Sequence, residues 1–231
     1  MPNVRANLAV VKKRITAAAE RVGQDPNQIT LVAVTKDVEY LKLIEEAIAA
    51  GITDIGENRV QEAKPKIEAL KSRYKNVKWH MIGHLQTNKV KTALELFDQI
   101  DSVDSLKLAE EIEKRSQKPA PVLIEVKTSE EATKFGVEPS ELEALIGQIS
   151  KLKNLKILGL MTLAPLTSDK EKARPYFRKL KDLSERVKSL NLPNVEMNYL
   201  SMGMTTDFEV AIEEGSNMVR LGRAIFGERG E

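Results

Sequence analysis

The chain has 231 residues, 42% hydrophobic and 30% charged, and 36 basic against 34 acidic side chains leave a net charge of +2. That is the make-up of a folded globular protein with no nucleic-acid-binding face, its charges reading as the polar sides of helices. Cysteine is absent, which excludes disulfides, thiolate catalysis and Cys-based metal sites, and two histidines are too few to suggest a multi-His metal centre.

Taken in order, Met1-Pro2-Asn3-Val4-Arg5 has no signal-type apolar core, and no stretch reaches the ~18 apolar residues of a membrane span. A cytoplasmic protein without membrane or nucleic-acid partners is expected. Val4, Leu8, Val11, Ile15, Ala18 and Val22 recur at helical spacing, and Gly23 and Asp25-Pro26 end that helix. Ile29 to Thr35 is a buried strand ending on Lys36. Tyr40 to Ala50 is a helix stopped by Gly51, and Ile52 to Ile55 a short strand running into Gly56-Glu57-Asn58. Val60 to Ser72 is helical, with Pro65 marking a kink or a late start. Val77 to Ile82 is a third strand closed by Gly83-His84, Asn88 to Phe97 a helix, and Gln99 to Val103 a fourth strand. Ser105 can cap a helix to about Gln117. Pro121 to Val126 is a fifth strand; the polar loop Lys127 to Gly136 leads to a helix from Glu141 to Leu152. Lys156 to Leu160 is a sixth strand. Phe177, Leu180, Leu183, Val187 and Leu190 mark a helix with Pro175 in its first turn. Asn194 to Leu200 is a seventh strand, Asp207 to Glu214 a short helix, and Asn217 to Leu221 an eighth strand, with Ala224 to Gly227 after it.

Eight strands alternating with helices require parallel pairing with helical crossovers, and eight such units favour a closed (β/α)8 TIM barrel over an open doubly wound sheet. The expected organisation is a single domain over 1–231, with an extra N-terminal helix at 1–23 and the barrel at 29–227.

In this fold the site gathers at the C-terminal ends of the strands. Those ends carry Lys36, Glu57 and Asn58, His80 and His84, Asp101 and Ser102, Lys127, Met161, Ser201 and Gly203, and Arg220 with Gly222. A lysine held half out of water at a strand mouth is easier to deprotonate and can attack a carbonyl, whereas a solvated one does nothing. Ser201 to Thr206 and Arg220 to Ala224 supply what phosphate needs after strands seven and eight: free backbone N–H groups, glycines for close approach, a hydroxyl and a helix start. The bland alternative is that Gly203 and Gly222 serve tight turns. A phosphorylated carbonyl ligand held on Lys36 as a Schiff base leaves two classes open, a lysine aldolase acting on a sugar phosphate and a pyridoxal 5'-phosphate (PLP) protein. Arg220 could touch the pyridine nitrogen or the phosphate, or make a structural ion pair. His80 could line the mouth or be a hydrogen-bonded structural imidazole, while Trp79 should face the helix layer. Glu57 reads as a carboxylate at a helix N-terminus. Asn58 could cap that helix or touch the ligand.

The blocks Leu31-Val32-Ala33-Val34-Thr35-Lys36, Gly56-Glu57-Asn58-Arg59, Trp79-His80-Met81-Ile82-Gly83-His84-Leu85-Gln86, Lys134-Phe135-Gly136, Gly159-Leu160-Met161-Thr162, Ser201-Met202-Gly203-Met204 and Val219-Arg220-Leu221-Gly222 run in order along almost the whole chain. Together they resemble the pyridoxal phosphate homeostasis protein family. The resemblance implies a PLP-binding barrel similar to the N-terminal domain of alanine racemase. It implies Lys36 as the Schiff-base lysine, phosphate contacts from the Ser201 and Gly222 loops, and Arg220 near the cofactor. It also implies a role in balancing vitamin B6, amino-acid and keto-acid pools with no established enzymatic activity. Thr35 stands where serine is common, Arg223 where a small hydroxyl residue is usual, and Thr205-Thr206 replaces a Ser-containing pair.

Racemase chemistry needs a second acid/base group opposite the lysine, supplied in alanine racemase by a tyrosine of a C-terminal domain. Of Tyr40, Tyr74, Tyr176 and Tyr199, Tyr40 lies just beyond Lys36 and Tyr199 near the end of strand seven, and neither has a clear reason to sit there. The expectation is a monomeric, non-catalytic PLP carrier or regulator with Lys36, Asn58, His80, Ser201, Gly203, Arg220 and Gly222 as cofactor-binding residues, no metal, and PLP-dependent apo-enzymes as recipients. An amino-acid racemase and a sugar-phosphate aldolase are the alternatives.

Overall fold

The computed structural model describes residues 2–129, 135–165, 167 and 169–227; Lys134 of the Lys134-Phe135-Gly136 block and the extreme ends of the expected 1–231 unit lie outside these. Eight parallel strands close on themselves in chain order: β1 (Thr30–Val34), β2 (Asp54–Glu57), β3 (Lys78–Met81), β4 (Gln99–Val103), β5 (Ala120–Glu125), β6 (Leu155–Met161), β7 (Val195–Ser201) and β8 (Met218–Leu221). Closure runs through Thr30 opposite Met218 to Ala33 opposite Leu221. Side chains alternate across each strand. Val32, Leu123, Met161 and Met218 therefore pack inside the barrel. Ala33, Ile55, Trp79, Ile100, Val122, Leu160 and Val219 pack outward against the helices, Trp79 fully buried there as its alternation with His80 requires.

The outer ring is α2 (Leu41–Ala49), α3 (Val60–Leu70), α4 (Val90–Leu96), α5 (Leu106–Arg115), α6 (Leu142–Ile149), α7 (Arg174–Ser189), α8 (Phe208–Glu213) and the short α9 (Arg223–Phe226), preceded by α1 (Val4–Arg21). Local chemistry sets the ends: Asn3 Oδ1 accepts from Ala6 N at the start of α1, Ser105 Oγ accepts from Leu108 N at the start of α5, and Pro175 sits in the first turn of α7. α3 starts at Val60 and continues through Pro65 to Leu70, so the proline marks no late start. The apolar stripe of α1 buries Val4, Leu8, Val11 and Ile15, but Val22 falls just past the helix and is exposed, since the chain turns into Gly23 at φ 68°. α1 packs across α8 and α9: Asn7 Nδ2 donates to Ile225 O at 2.9 Å, and the Arg14 guanidinium lies 4.7 Å from the Phe208 ring centre while its Nε reaches Glu209 at 3.1 Å. The extra helix thus braces the elements that follow β7 and β8. Among the described residues no helix is long and apolar enough to cross a membrane.

Candidate functional site

The backbone at the end of β1 is tied to β2. Thr35 N donates to Gly56 O at 3.0 Å, Thr35 O accepts from Val38 N at 3.0 Å, and the turn passes through Asp37 at φ 63°. Lys36 continues the inward parity of Val32 and Val34. It is exposed, however, rather than half-buried, because β1 stops at Val34 and Lys36 already belongs to the turn. Glu57 departs further from expectation. It does not serve the N-terminus of α3, whose cap position is Arg59 with no side-chain bond. Glu57 points outward from β2, fully buried, and its Oε1 accepts from Thr35 Oγ1 at 2.5 Å and Lys66 Nζ at 2.8 Å. Asn58 does not cap α3 either. It is half-buried and lines, with Arg59, His84, Gln86 and Lys89, a cleft of about 300 Å³ beside the mouth.

The opposite wall of the mouth comes from β7 and β8. Gly203 has φ 98°, and a Cβ there would lie 2.6 Å from Ala211 Cβ, so only glycine fits. Its carbonyl accepts from Arg220 N at 3.0 Å, which locks the two loops together. Met204 N donates to Asp207 Oδ1 at 2.6 Å and closes the turn into α8. A Cβ on Gly222 would lie 3.2 Å from Val34 O, so the loop after β8 lies directly against the end of β1. The lysine turn and both glycine loops are therefore neighbours.

Beneath them, buried polar side chains share the barrel interior with the apolar cluster of Val32, Leu123, Met161 and Met218. Arg220 is buried, donating from Nη1 to Ser201 Oγ at 2.5 Å and from Nη2 to Thr162 O at 2.8 Å. Burial lowers its pKa, opposed by the charges of Asp101, Glu125 and Asp207. Ser201 is thus first a partner of Arg220, and its hydroxyl proton is what it could offer a ligand. His80 is buried between two carboxylates, with Nδ1 at 3.1 Å from Asp101 Oδ2 and Nε2 at 3.1 Å from Asp54 Oδ1; Gln99 Nε2 holds the other oxygen of Asp101 at 2.7 Å. Burial acts to lower the His80 pKa, but Asp101 and Asp54 outweigh it and push it up to about 9. With its pKa raised in this way the ring favours the imidazolium at neutral pH, in which both nitrogens donate to the flanking carboxylates. It meets the expectation of a hydrogen-bonded imidazole and has no free nitrogen for a cofactor. Glu125, on the inward face two residues beyond Leu123, is pushed up to about 7 by burial, with Arg220 opposing and Asp104 adding to the rise.

Lys36, Gly203, Arg220 and Gly222 are brought together at one mouth, Ser201 sits beneath them, Asn58 lies at the rim and His80 deeper in the barrel. The two histidines are separated: His84 is on the surface, stacked on Phe135 at 3.8 Å and 3.2 Å from Asp104. Among the described residues no cluster of His, Asp and Glu is arranged for a metal. Sequence reasoning missed Lys66, Glu125, Thr162 and Asp207. Glu125 had a signal, an acid closing an otherwise apolar strand on the inward parity. Lys66 carries none, since its partner Glu57 is nine residues away and reads in the sequence as a carboxylate at a helix N-terminus.

The family model described as the alanine racemase N-terminal domain matches residues 5–230. The pyridoxal phosphate homeostasis protein of Aquifex aeolicus is 45% identical, over 98% of this chain and 99% of its own. That of Haemophilus influenzae is 39% identical, over 98% and 96%. Among solved structures, PipY of Synechococcus elongatus with PLP bound is 32% identical with a TM-score of 0.84, over 97% of this chain and 100% of that one. Alanine racemase of Corynebacterium glutamicum, at 14% identity and a TM-score of 0.77 over 98% of this chain and 61% of that one, shares the fold.

Proposed function

The chain belongs to the pyridoxal phosphate homeostasis protein family, and on that premise we propose that it is a non-catalytic PLP-binding protein of vitamin B6 homeostasis, with 1–231 as one binding unit and Lys36 as the attachment point. The residues fit the group. A primary amine at a strand mouth, two glycine loops on the adjoining strands and a buried guanidinium between them match an aldehyde, a phosphate and a pyridine ring in turn. The observation that carries the reading is the approach of Gly222 to the end of β1, which sets a phosphate-type loop next to the lysine turn. When bound, PLP supplies an aldehyde carbon that joins a primary amine with loss of one water.

The protein's own residues divide the remaining work. Gly203 and Gly222 let the backbone approach an anion, with the Ser201 hydroxyl beneath. Arg220, fixed by Ser201 and Thr162, keeps a cation in the barrel interior that would hold a facing ring nitrogen unprotonated. Asn58 borders the mouth. His80 holds the strands below through Asp54 and Asp101, and acts as a positioning group. The relatives' names support homeostasis over catalysis. The reading extends to a cytoplasmic monomer that hands PLP to apo-enzymes.

Borohydride reduction of PLP-treated protein followed by peptide mapping should place the pyridoxyl group on Lys36, and Lys36→Ala should take up none. Absence of adduct on wild-type Lys36 would sink the proposal. Amino-acid racemisation by the loaded protein, or sugar-phosphate condensation without PLP, would move it to the enzyme classes. Transfer to an apo-enzyme faster than from free PLP is expected for a carrier, and elution as a single copy on sizing checks the monomer.

A further inference from the structure

Behind the lysine turn lies a buried charge pair that the binding surface does not use. Lys66 reaches from the second turn of α3 through the helix layer, its side chain only 11% exposed, and donates to Glu57 Oε1 at 2.8 Å and to Thr35 O at 2.7 Å. Thr35 Oγ1 donates to the same glutamate oxygen at 2.5 Å. Glu57 is fully buried, and its Oε2 has no partner among the described residues. A carboxylate in that state is costly, and the pair is poor value as a source of stability, because well-packed apolar residues at such sites are often as stable or more so. The neighbourhood would accept them: α3 already buries Val60, Ala63, Ile67 and Leu70 against the barrel.

What the pair does hold is specific. The Thr35 carbonyl belongs to the peptide bond that carries Lys36, and it is gripped from two directions, by Val38 N and by Lys66 Nζ. The Thr35 side chain is held to Glu57, and Thr35 N to β2. Four bonds thus converge on the residue immediately before Lys36, while Lys36 itself is exposed on a flexible four-carbon stem. Fixing the base of such a stem limits where the amine can travel, and errors of position near 1 Å can cost about a hundredfold in a reaction step.

Resting on the PLP reading above, we infer that Glu57 and Lys66 are positioning residues for Lys36: they clamp the Thr35–Lys36 peptide from behind the barrel wall, and covalent attachment at Lys36 depends on them although neither touches the ligand. In attachment the Lys36 nitrogen joins the aldehyde carbon and the aldehyde oxygen departs as water. The clamp acts on this step, and none of its bonds involves the phosphate loops that follow β7 and β8.

The test uses the full chain with Glu57→Leu and Lys66→Met combined, an apolar pair chosen to keep the layer packed. Two quantities are read: the rate of PLP attachment, and affinity for pyridoxine 5'-phosphate, which has the ring and phosphate but no aldehyde. The expected result is attachment slowed about tenfold or more, with pyridoxine 5'-phosphate affinity within about twofold of wild type and unfolding midpoint retained. Attachment at the wild-type rate, or an equal loss in both readouts, overturns the inference. If the double variant does not fold, Thr35→Val removes the hydroxyl link alone, and slower attachment with unchanged pyridoxine 5'-phosphate affinity is required of it as well. A wild-type protein that forms no adduct refutes the PLP reading itself, whereas a normal adduct unaffected by the clamp variants removes only the positioning role.

Discussion

His80 makes the stability of this barrel fall as the pH becomes alkaline. In the unfolded chain its imidazole titrates near 6.5, and between Asp101 and Asp54 in the folded barrel it titrates at about 9. Below the lower value both states carry the proton, and the full stabilisation is present. Between the two, the unfolded chain gives up its proton and the folded protein does not, so stability falls as pH rises. It is lost once the pH passes through about 9. At about 1.4 kcal/mol per tenfold change in an equilibrium constant, that interval corresponds to about 3 kcal/mol. In a domain of this size such a loss lowers the melting temperature by about 6–12 °C. The perturbation is His80→Gln, which keeps one hydrogen bond and cannot titrate. Urea unfolding of both proteins from about pH 6 to about pH 10 gives the curves to compare. Surface lysines and the carboxylates away from His80 contribute to both, so the difference between the curves reports the imidazolium together with its two partners, Asp54 and Asp101. It should shrink by about 3 kcal/mol on going from the acid to the alkaline end. A difference that stays constant over this range would refute the claim that the two carboxylates hold His80 protonated.

Two other substitutions probe the mouth. Gly203→Ala must accept φ 98° and a contact of 2.6 Å with Ala211 Cβ, so a loss of about 2–4 kcal/mol is expected in chemical denaturation, and a loss under about 1 kcal/mol would show that the loop relaxes. Glu125 behaves as a raised acid, moving from 4.5 to about 7, so its favourable contribution is present below 4.5 and lost as pH rises through about 7. Glu125→Gln should therefore gain on wild type by up to about 3 kcal/mol between about pH 4 and about pH 8, with Arg220 as the nearby cation that limits the gain; no relative gain in melting temperature would place the titration elsewhere.

The number and order of the elements were legible along the chain because short apolar runs, capping residues and glycine stops are local signals. Ser105 at the start of α5 and Gly23 after α1 did in the structure what such residues do anywhere. Closure into a barrel followed from eight strict alternations, and closure in turn carried Lys36, Gly203, Arg220 and Gly222 to one mouth. Their chemistry could be guessed because each stands at a strand end, where the fold collects such groups.

Partnership among buried charges was a different matter. Nothing along the chain says that Glu57 turns away from the helix N-terminus beside it to meet Lys66 and Thr35, or that His80 finds a carboxylate at each nitrogen. Those choices depend on which face of each strand is inward and on the register between neighbouring strands, which brings Gly56 opposite His80 and Val32 opposite Arg220. A buried charge must find its counter-charge wherever the packed chain offers one. The sequence therefore determined the barrel and the lysine at its mouth, while the tertiary structure alone decided which charges hold that mouth in place.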